Sequence, residues 1–149
     1  AEYQDPVEKY RAPEAKILVV DDNEMNLFIV KGLLRHLGAT IDTADSGAAC
    51  LKKTADCRYD LIFMDAAKGQ YIHWLPEVVR LLAPGGILMS DNVLQEGELI
   101  ESHYLVERRN RTIYKRMRDY LFELKHHPQL TTSIIPLGDG VSVSVKEEL

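Results

Sequence analysis

At three places in this 149-residue chain, side chains with oxygen donors sit directly after short apolar runs. Asp21 and Asp22 follow KILVV, Asp65 follows LIFM, and Asp91 with Asn92 follow GILMS. Apolar runs of this length, bounded by polar residues, are the pattern of strands covered on both faces of a parallel sheet. Open α/β sheets place their ligand crevice beyond the carboxyl ends of such strands. Carboxylates converging there repel one another and attract a hard, oxygen-seeking cation. Asp21, Asp22, Asp65, Asp91 and Asn92 are the candidate metal ligands, and an all-oxygen set favours Mg²⁺ over softer ions.

The elements that must position these residues alternate in period. Residues 1–14 show no periodicity and are expected to form a tail or linker. Strands are expected over 16–20, 39–44, 60–64 and 86–90. Between the first two, Met25, Leu27, Phe28, Val30, Leu33, Leu34 and Leu37 fit one broad helical face, with Asp22 or Asn23 as cap and Gly38 as stop. Helices are also expected over 48–55, over 77–82 up to Pro84-Gly85-Gly86, and over about 103–125. Alternating strands over 131–136 and 141–146 flank Gly138-Asp139-Gly140, a hairpin signal.

Composition excludes several function classes. Apolar residues make up 46% and the formal charge is −5, which fits one globular domain with no overall pull toward nucleic acid or anionic membrane. No run resembles a signal peptide or a membrane span, and a cytoplasmic location is expected. Cys50 and Cys57 lack metal or redox spacing and read as reduced thiols. The cations of the long helix, Arg108, Arg109, Arg111, Lys115, Arg116 and Arg118, alternate with acids and read as a solvated face, so an RNA partner is not expected. The five histidines are scattered, and Trp74 with the tyrosines reads as packing.

Up to Asp65 the chain resembles a response-regulator receiver domain, through KILVVDDNEMN, TADSG and YDLIFMD. The resemblance implies Asp21 and Asp22 as magnesium ligands and Asp65 as a phosphoacceptor. The D-x-x-M-P loop and the Lys-Pro of a receiver are absent, and a histidine-kinase partner is not expected. From Asp65 onward the chain resembles bacterial metal- and S-adenosylmethionine-dependent O-methyltransferases, nearest those that methylate hydroxyuridine in transfer RNA. DAAKGQY, LLAPGG, ILMSDNV, RRNRTIYKRMRDYL and SIIPLGDGVSVSVK carry that likeness. It implies Asp65, Asp91 and Asn92 as metal ligands, Lys68 as a base beside the acceptor hydroxyl, and Asp45 as the ribose-binding acid. Lys68 has a plainer reading as ion-pair partner of the acids, and Asp45 as a helix cap.

The two likenesses meeting at Asp65 imply a splice, a receiver-like half over 15–65 joined to a methyltransferase-like half over 66–149. The fold expected is a single α/β domain, a three-layer Rossmann or flavodoxin-like sandwich. Its sheet is ordered about 2-1-3-4-6-5 with the last strand antiparallel. VVDDNEMN has no glycine-rich turn for a cofactor's close approach, so S-adenosylmethionine is not expected to bind. The main expectation is an engineered chimeric fold that keeps a Mg²⁺ site and lacks efficient catalysis. The alternatives are an O-methyltransferase and a phosphoacceptor using Asp65. Apolar surface left by missing N-terminal helices could pair two copies as a homodimer.

Overall fold

The computed structural model describes residues 10–46, 48–49, 57–94 and 111–148. Its six strands are β1 (Lys16–Asp21), β2 (Thr40–Ala44), β3 (Tyr59–Asp65), β4 (Leu82–Asp91), β5 (Leu130–Ile135) and β6 (Val141–Lys146). They form one sheet ordered β2-β1-β3-β4-β6-β5. The first three pairings along it are parallel, and β6 runs antiparallel to both β4 and β5. This is the order and direction expected from the sequence.

Side-chain alternation along β1 splits the core in two. Leu18 and Val20 join Ile62, Met64 and Leu88 on the face covered by α2 (Tyr71–Leu81) and α3 (Arg111–His126). The aromatic residues Tyr71, Tyr114 and Tyr120 fill that layer, each 2% exposed or less. Ile17 and Val19 point to the other face, where Leu27 of α1 (Glu24–Leu34) packs on them. The three layers of the expected sandwich are therefore present, one thick and one thin.

The thin layer departs from expectation. Of the seven apolar residues assigned to one helical face, Leu27 alone is buried, while Met25, Phe28 and Leu33 are 64%, 77% and 66% exposed. Seven positions in this spacing wrap too far around a 3.6-residue helix for one line of contact, and the sheet meets α1 only along Leu27 and the half-buried Val30. Asn23 rather than Asp22 is the cap, accepting from the backbone of Met25 at 2.9 Å and of Asn26 at 3.4 Å.

α2 is longer than expected, beginning at Tyr71 and keeping Pro76 inside it. Pro84-Gly85-Gly86 lies within β4, not beyond a helix, and a register break between Tyr59 and Leu61 absorbs it. Gly86 is needed there, because an added Cβ would meet the Ala83 oxygen at 2.7 Å and the Tyr59 oxygen at 3.0 Å. The hairpin turn fixes the chain after β4: Val93 and Leu94 donate to the carbonyls of Gly140 and Asp139. Residues 48–49 are helical; the rest of the helix expected over 48–55, Cys50, the tail before residue 10, and residues 103–110 of the long helix lie outside the described residues.

Candidate functional site

Parallel pairing in register sets the strand ends side by side. Asp21 of β1 stands opposite Asp65 of β3, and Met64 stands opposite Ser90, which places Asp91 beside Asp65. Asp21 is buried, and its Oδ1 accepts from the backbone N–H of Asn23 at 2.8 Å. Asp22 is exposed. Asn92 adopts a left-handed φ of 55°, which turns its amide so that Nδ2 donates to Asp65 Oδ1 at 3.3 Å. Its backbone N–H donates to Asp91 Oδ1 at 2.7 Å.

The electrostatics follow from this crowding. Burial pushes the Asp65 carboxyl above the usual carboxylate range, and the charges of Asp21, Asp91 and Asp22 push it the same way. Lys68 opposes them from the short 3₁₀ turn Lys68–Gln70, and it forms no ion pair among the described residues. That turn is held by the Arg116 guanidinium, which donates to the Gly69 carbonyl at 3.3 Å. Arg116 thus anchors the loop carrying Lys68, a use not visible in a face read as solvated.

Tyr71 is the positioning residue that sequence reasoning missed. Its hydroxyl donates to the Met64 carbonyl at 3.2 Å and accepts from the Ala66 N–H at 3.1 Å, straddling Asp65. Its ring lies edge-on to Tyr120 at 5.4 Å, and the Tyr120 hydroxyl shares a 2.6 Å hydrogen bond with Ser90. Burial raises the pKa of both phenols, so they stay neutral donors under the acids. The available signal was Tyr71 closing DAAKGQY, six residues past Asp65.

Asp45 ends apart from this cluster. Ser46, not Asp45, caps the following helix: its Oγ accepts from the Ala49 N–H at 3.1 Å and donates to Asp45 Oδ1 at 3.2 Å. Asp45 is exposed and lines a cavity of about 470 Å³ between α1 and the end of β2. The structure therefore brings Asp21, Asp65, Asp91 and Asn92 together, with Asp22 and Lys68 acting on Asp65 through space. Among the described residues no three His, Cys, Asp or Glu side chains form a closed metal cage. The oxygen-only donor set and its unrelieved repulsion nonetheless fit a hard divalent cation.

The family model described as O-methyltransferase matches residues 12–147. Among curated relatives, caffeoyl-CoA O-methyltransferase 5 of Nicotiana tabacum is 30% identical over 142 residues, covering 87% of this chain and 58% of that protein. The chain spans 35% to 58% of the length of the first such relatives. Among solved structures, the O-methyltransferase from Bacillus cereus in complex with S-adenosylhomocysteine overlays with a TM-score of 0.64 at 17% identity, covering 91% of this chain and 75% of that one. TomG from Streptomyces achromogenes, in complex with S-adenosylmethionine, gives 0.64 at 14%, with the same coverages of 91% and 75%. At such identities these likenesses show the fold.

Two expectations are corrected by these findings. The reading as an inactive engineered chimera, a receiver half spliced at Asp65, is overturned by a family match that runs unbroken through residues 12–65 and beyond. A buried parallel strand followed by an Asn-capped helix is common to both folds, and acids at its end are compatible with either, so VVDDN carried no receiver-specific information. The exclusion of S-adenosylmethionine is overturned because chains of this fold are solved with that cofactor or its product bound. A missing glycine removes one close backbone approach and leaves the rest of the crevice in place. The chain belongs to the O-methyltransferase family.

Proposed function

We propose that this chain holds the metal and cofactor of an S-adenosylmethionine-dependent O-methyltransferase, acting on an acidic hydroxyl such as that of a caffeoyl thioester. The observation that carries the reading is the convergence of Asp65, Asp91 and Asn92 at adjacent strand ends, with the Asp65 pKa raised by its neighbours. Asp65, Asp91 and Asn92 would hold a divalent cation. Asp45 would receive the ribose hydroxyls, and the carboxylates of Asp21 and Asp22 set a negative potential toward a positively charged cofactor. Bound there, the cofactor supplies an electrophilic methyl group, and the cation lowers the pKa of the acceptor hydroxyl. Lys68 Nζ would take the proton leaving that hydroxyl as a neutral amine or, as an ammonium, stabilise the oxyanion while the proton passes to solvent. Tyr71 and Arg116 keep Asp65 and Lys68 in place.

The test is a mass-spectrometric assay with S-adenosylmethionine, Mg²⁺ and a caffeoyl thioester, repeated with chelator. Product that needs Mg²⁺ and disappears in Asp65→Asn supports the reading. No product, together with calorimetry showing no cofactor binding, overturns it. A hydroxyuridine-containing RNA is the second acceptor to assay, favoured by Arg111, Lys115, Arg116 and Arg118 around a cavity of about 690 Å³ on α3.

A further inference from the structure

Asp65 and Asp91 end adjacent strands, and each has a buried tyrosine of the same helical layer bonded beside it. Tyr71 of α2 grips the backbone on either side of Asp65, at Met64 and Ala66. Tyr120 of α3 reaches β4 one residue before Asp91. Its hydroxyl shares a 2.6 Å hydrogen bond with the Ser90 side chain. Both partners are fully buried, so the bond forms away from solvent, where it is electrostatically stronger.

The position of Ser90 in the strand gives that bond its leverage. Successive side chains of a strand leave on opposite faces, so tying Ser90 to α3 directs Asp91 away from it. A rotation of the β4 end about its own axis would break the Ser90–Tyr120 bond as it moved the carboxylate. On the far side, Val93 and Leu94 donate to the hairpin carbonyls of Gly140 and Asp139. Asp91 and Asn92 therefore lie on a short span of chain fixed at both ends. Ser142 supplies a contrast within the same sheet. It pairs with Ser90 across β4 and β6 and is equally buried, yet its Oγ has no hydrogen-bond partner among the described residues. Two neighbouring buried serines thus separate the effect of the bond to Tyr120 from that of a buried hydroxyl.

We propose that Tyr120, acting through Ser90, is a positioning residue for the cation ligand Asp91, as Tyr71 is for Asp65. The proposal deepens the methyl-transfer reading and rests on its assignment of Asp65, Asp91 and Asn92 to a divalent cation. Groups that orient a ligand from behind set its spacing to the ion, and losing one costs about 10–100-fold in metal affinity.

Mn²⁺ binding by the whole chain tests it without turnover, since Mn²⁺ takes the same oxygen ligands as Mg²⁺. Electron paramagnetic resonance of the free ion gives the affinity, and near-ultraviolet circular dichroism checks each fold. The wild type should bind one ion that Asp65→Asn does not. Tyr120→Phe should weaken binding about tenfold, and Ser90→Ala should match it. The double variant should be no weaker than either single one, because one bond carries the effect. Ser142→Ala should bind as the wild type does. If Tyr120→Phe does not fold, Ser90→Ala carries the test, since it removes a single oxygen. A bond of merely structural use would lower the unfolding midpoint and leave the affinity unchanged. Wild-type affinity in the folded variants, with binding lost in Asp65→Asn, would overturn the proposal and spare the methyl-transfer reading. An equal loss in Ser142→Ala would overturn it too, because any buried hydroxyl would then serve. No ion held by the wild type at about 10 mM Mn²⁺ would overturn both.

Discussion

At the carboxyl ends of β1, β3 and β4, Asp21, Asp65 and Asp91 are held side by side by strand register. At the amino ends of β3 and β4, Arg58 and Lys146 gather near the end of α2. The same sheet thus presents acid at one edge and base at the other, and the two edges treat their charge differently. Lys146 donates to carbonyls of the last turn of α2 and the residue after it, groups that a helix end leaves without partners. The acids receive hydrogen bonds but no cation in contact among the described residues: backbone N–H groups reach Asp21 and Asp91, the Asn92 amide reaches Asp65, and Lys68 acts from a distance. Binding energy for a ligand is stored at the acidic edge. Structural charge is satisfied within the fold, whereas the acidic edge keeps an electrostatic debt that a cation would settle.

The largest test of that contrast is Asp65→Asn. Losing the central ligand should lower metal-dependent methyl transfer at least about 100-fold in kcat/KM while the fold persists, read by the same mass-spectrometric assay. Equal activity in the variant would remove the acidic edge from the chemistry. Next comes Tyr71→Phe, which leaves the Ala66 N–H and the Met64 carbonyl without their shared partner under Asp65. Urea unfolding should show a loss of about 1–3 kcal/mol, with kcat falling further than KM rises, because Asp65 loses its mount.

How much of this was legible beforehand differs by region. The strands and the acids at their ends followed from KILVV, LIFM and GILMS, because a continuous apolar run has few other solutions, whereas the sheet order followed from the family likenesses. The role of Tyr71 is not legible from its motif, since a buried hydroxyl shows its partners only when the chain has folded. The Leu27 helix misled, because apolar spacing reports which residues share a face, not whether anything covers it. The cap after β2 was assigned to Asp45 when Ser46 provides it, one residue being beyond the resolution of a capping pattern. VVDDN misled most, since local physics shared by two folds was read as the mark of one. The basic edge could not be seen at all: Arg58, Arg80, His127 and Lys146 are spread over nearly ninety positions and meet only through topology.

Lys146→Met sharpens the basic side. It should cost about 1 kcal/mol in urea unfolding, by removing two charge-assisted hydrogen bonds in a half-open setting. A loss no larger than that of a neighbouring surface substitution would mean that the edge is merely solvated, like an ordinary cationic rim.

The smallest effect, and the one that compares folded and unfolded states directly, is the pH dependence of stability in chelator. Asp65 has a folded pKa above its ordinary value, so the folded chain holds its proton to higher pH than the unfolded chain does. Its contribution to stability is therefore full below the ordinary carboxylate range and is lost as pH rises through the raised folded value. Glu77, lowered by its hydrogen bond to Arg80, acts in the opposite sense, so the wild-type slope alone is ambiguous. The difference between wild type and Asp65→Asn isolates the wanted part. Unfolding midpoints over a pH series should show the wild type losing ground to the variant as pH rises. The gap should grow by on the order of a few tenths of a kcal/mol per pH unit, because solvent reaches Asp65 and screens its neighbours. Adding Mg²⁺ should close the gap at neutral pH and not in acid, where a protonated carboxyl is a poor ligand. A gap that is flat in pH would mean that the acids at the strand ends do not feel one another, and the contrast between the two edges would fall.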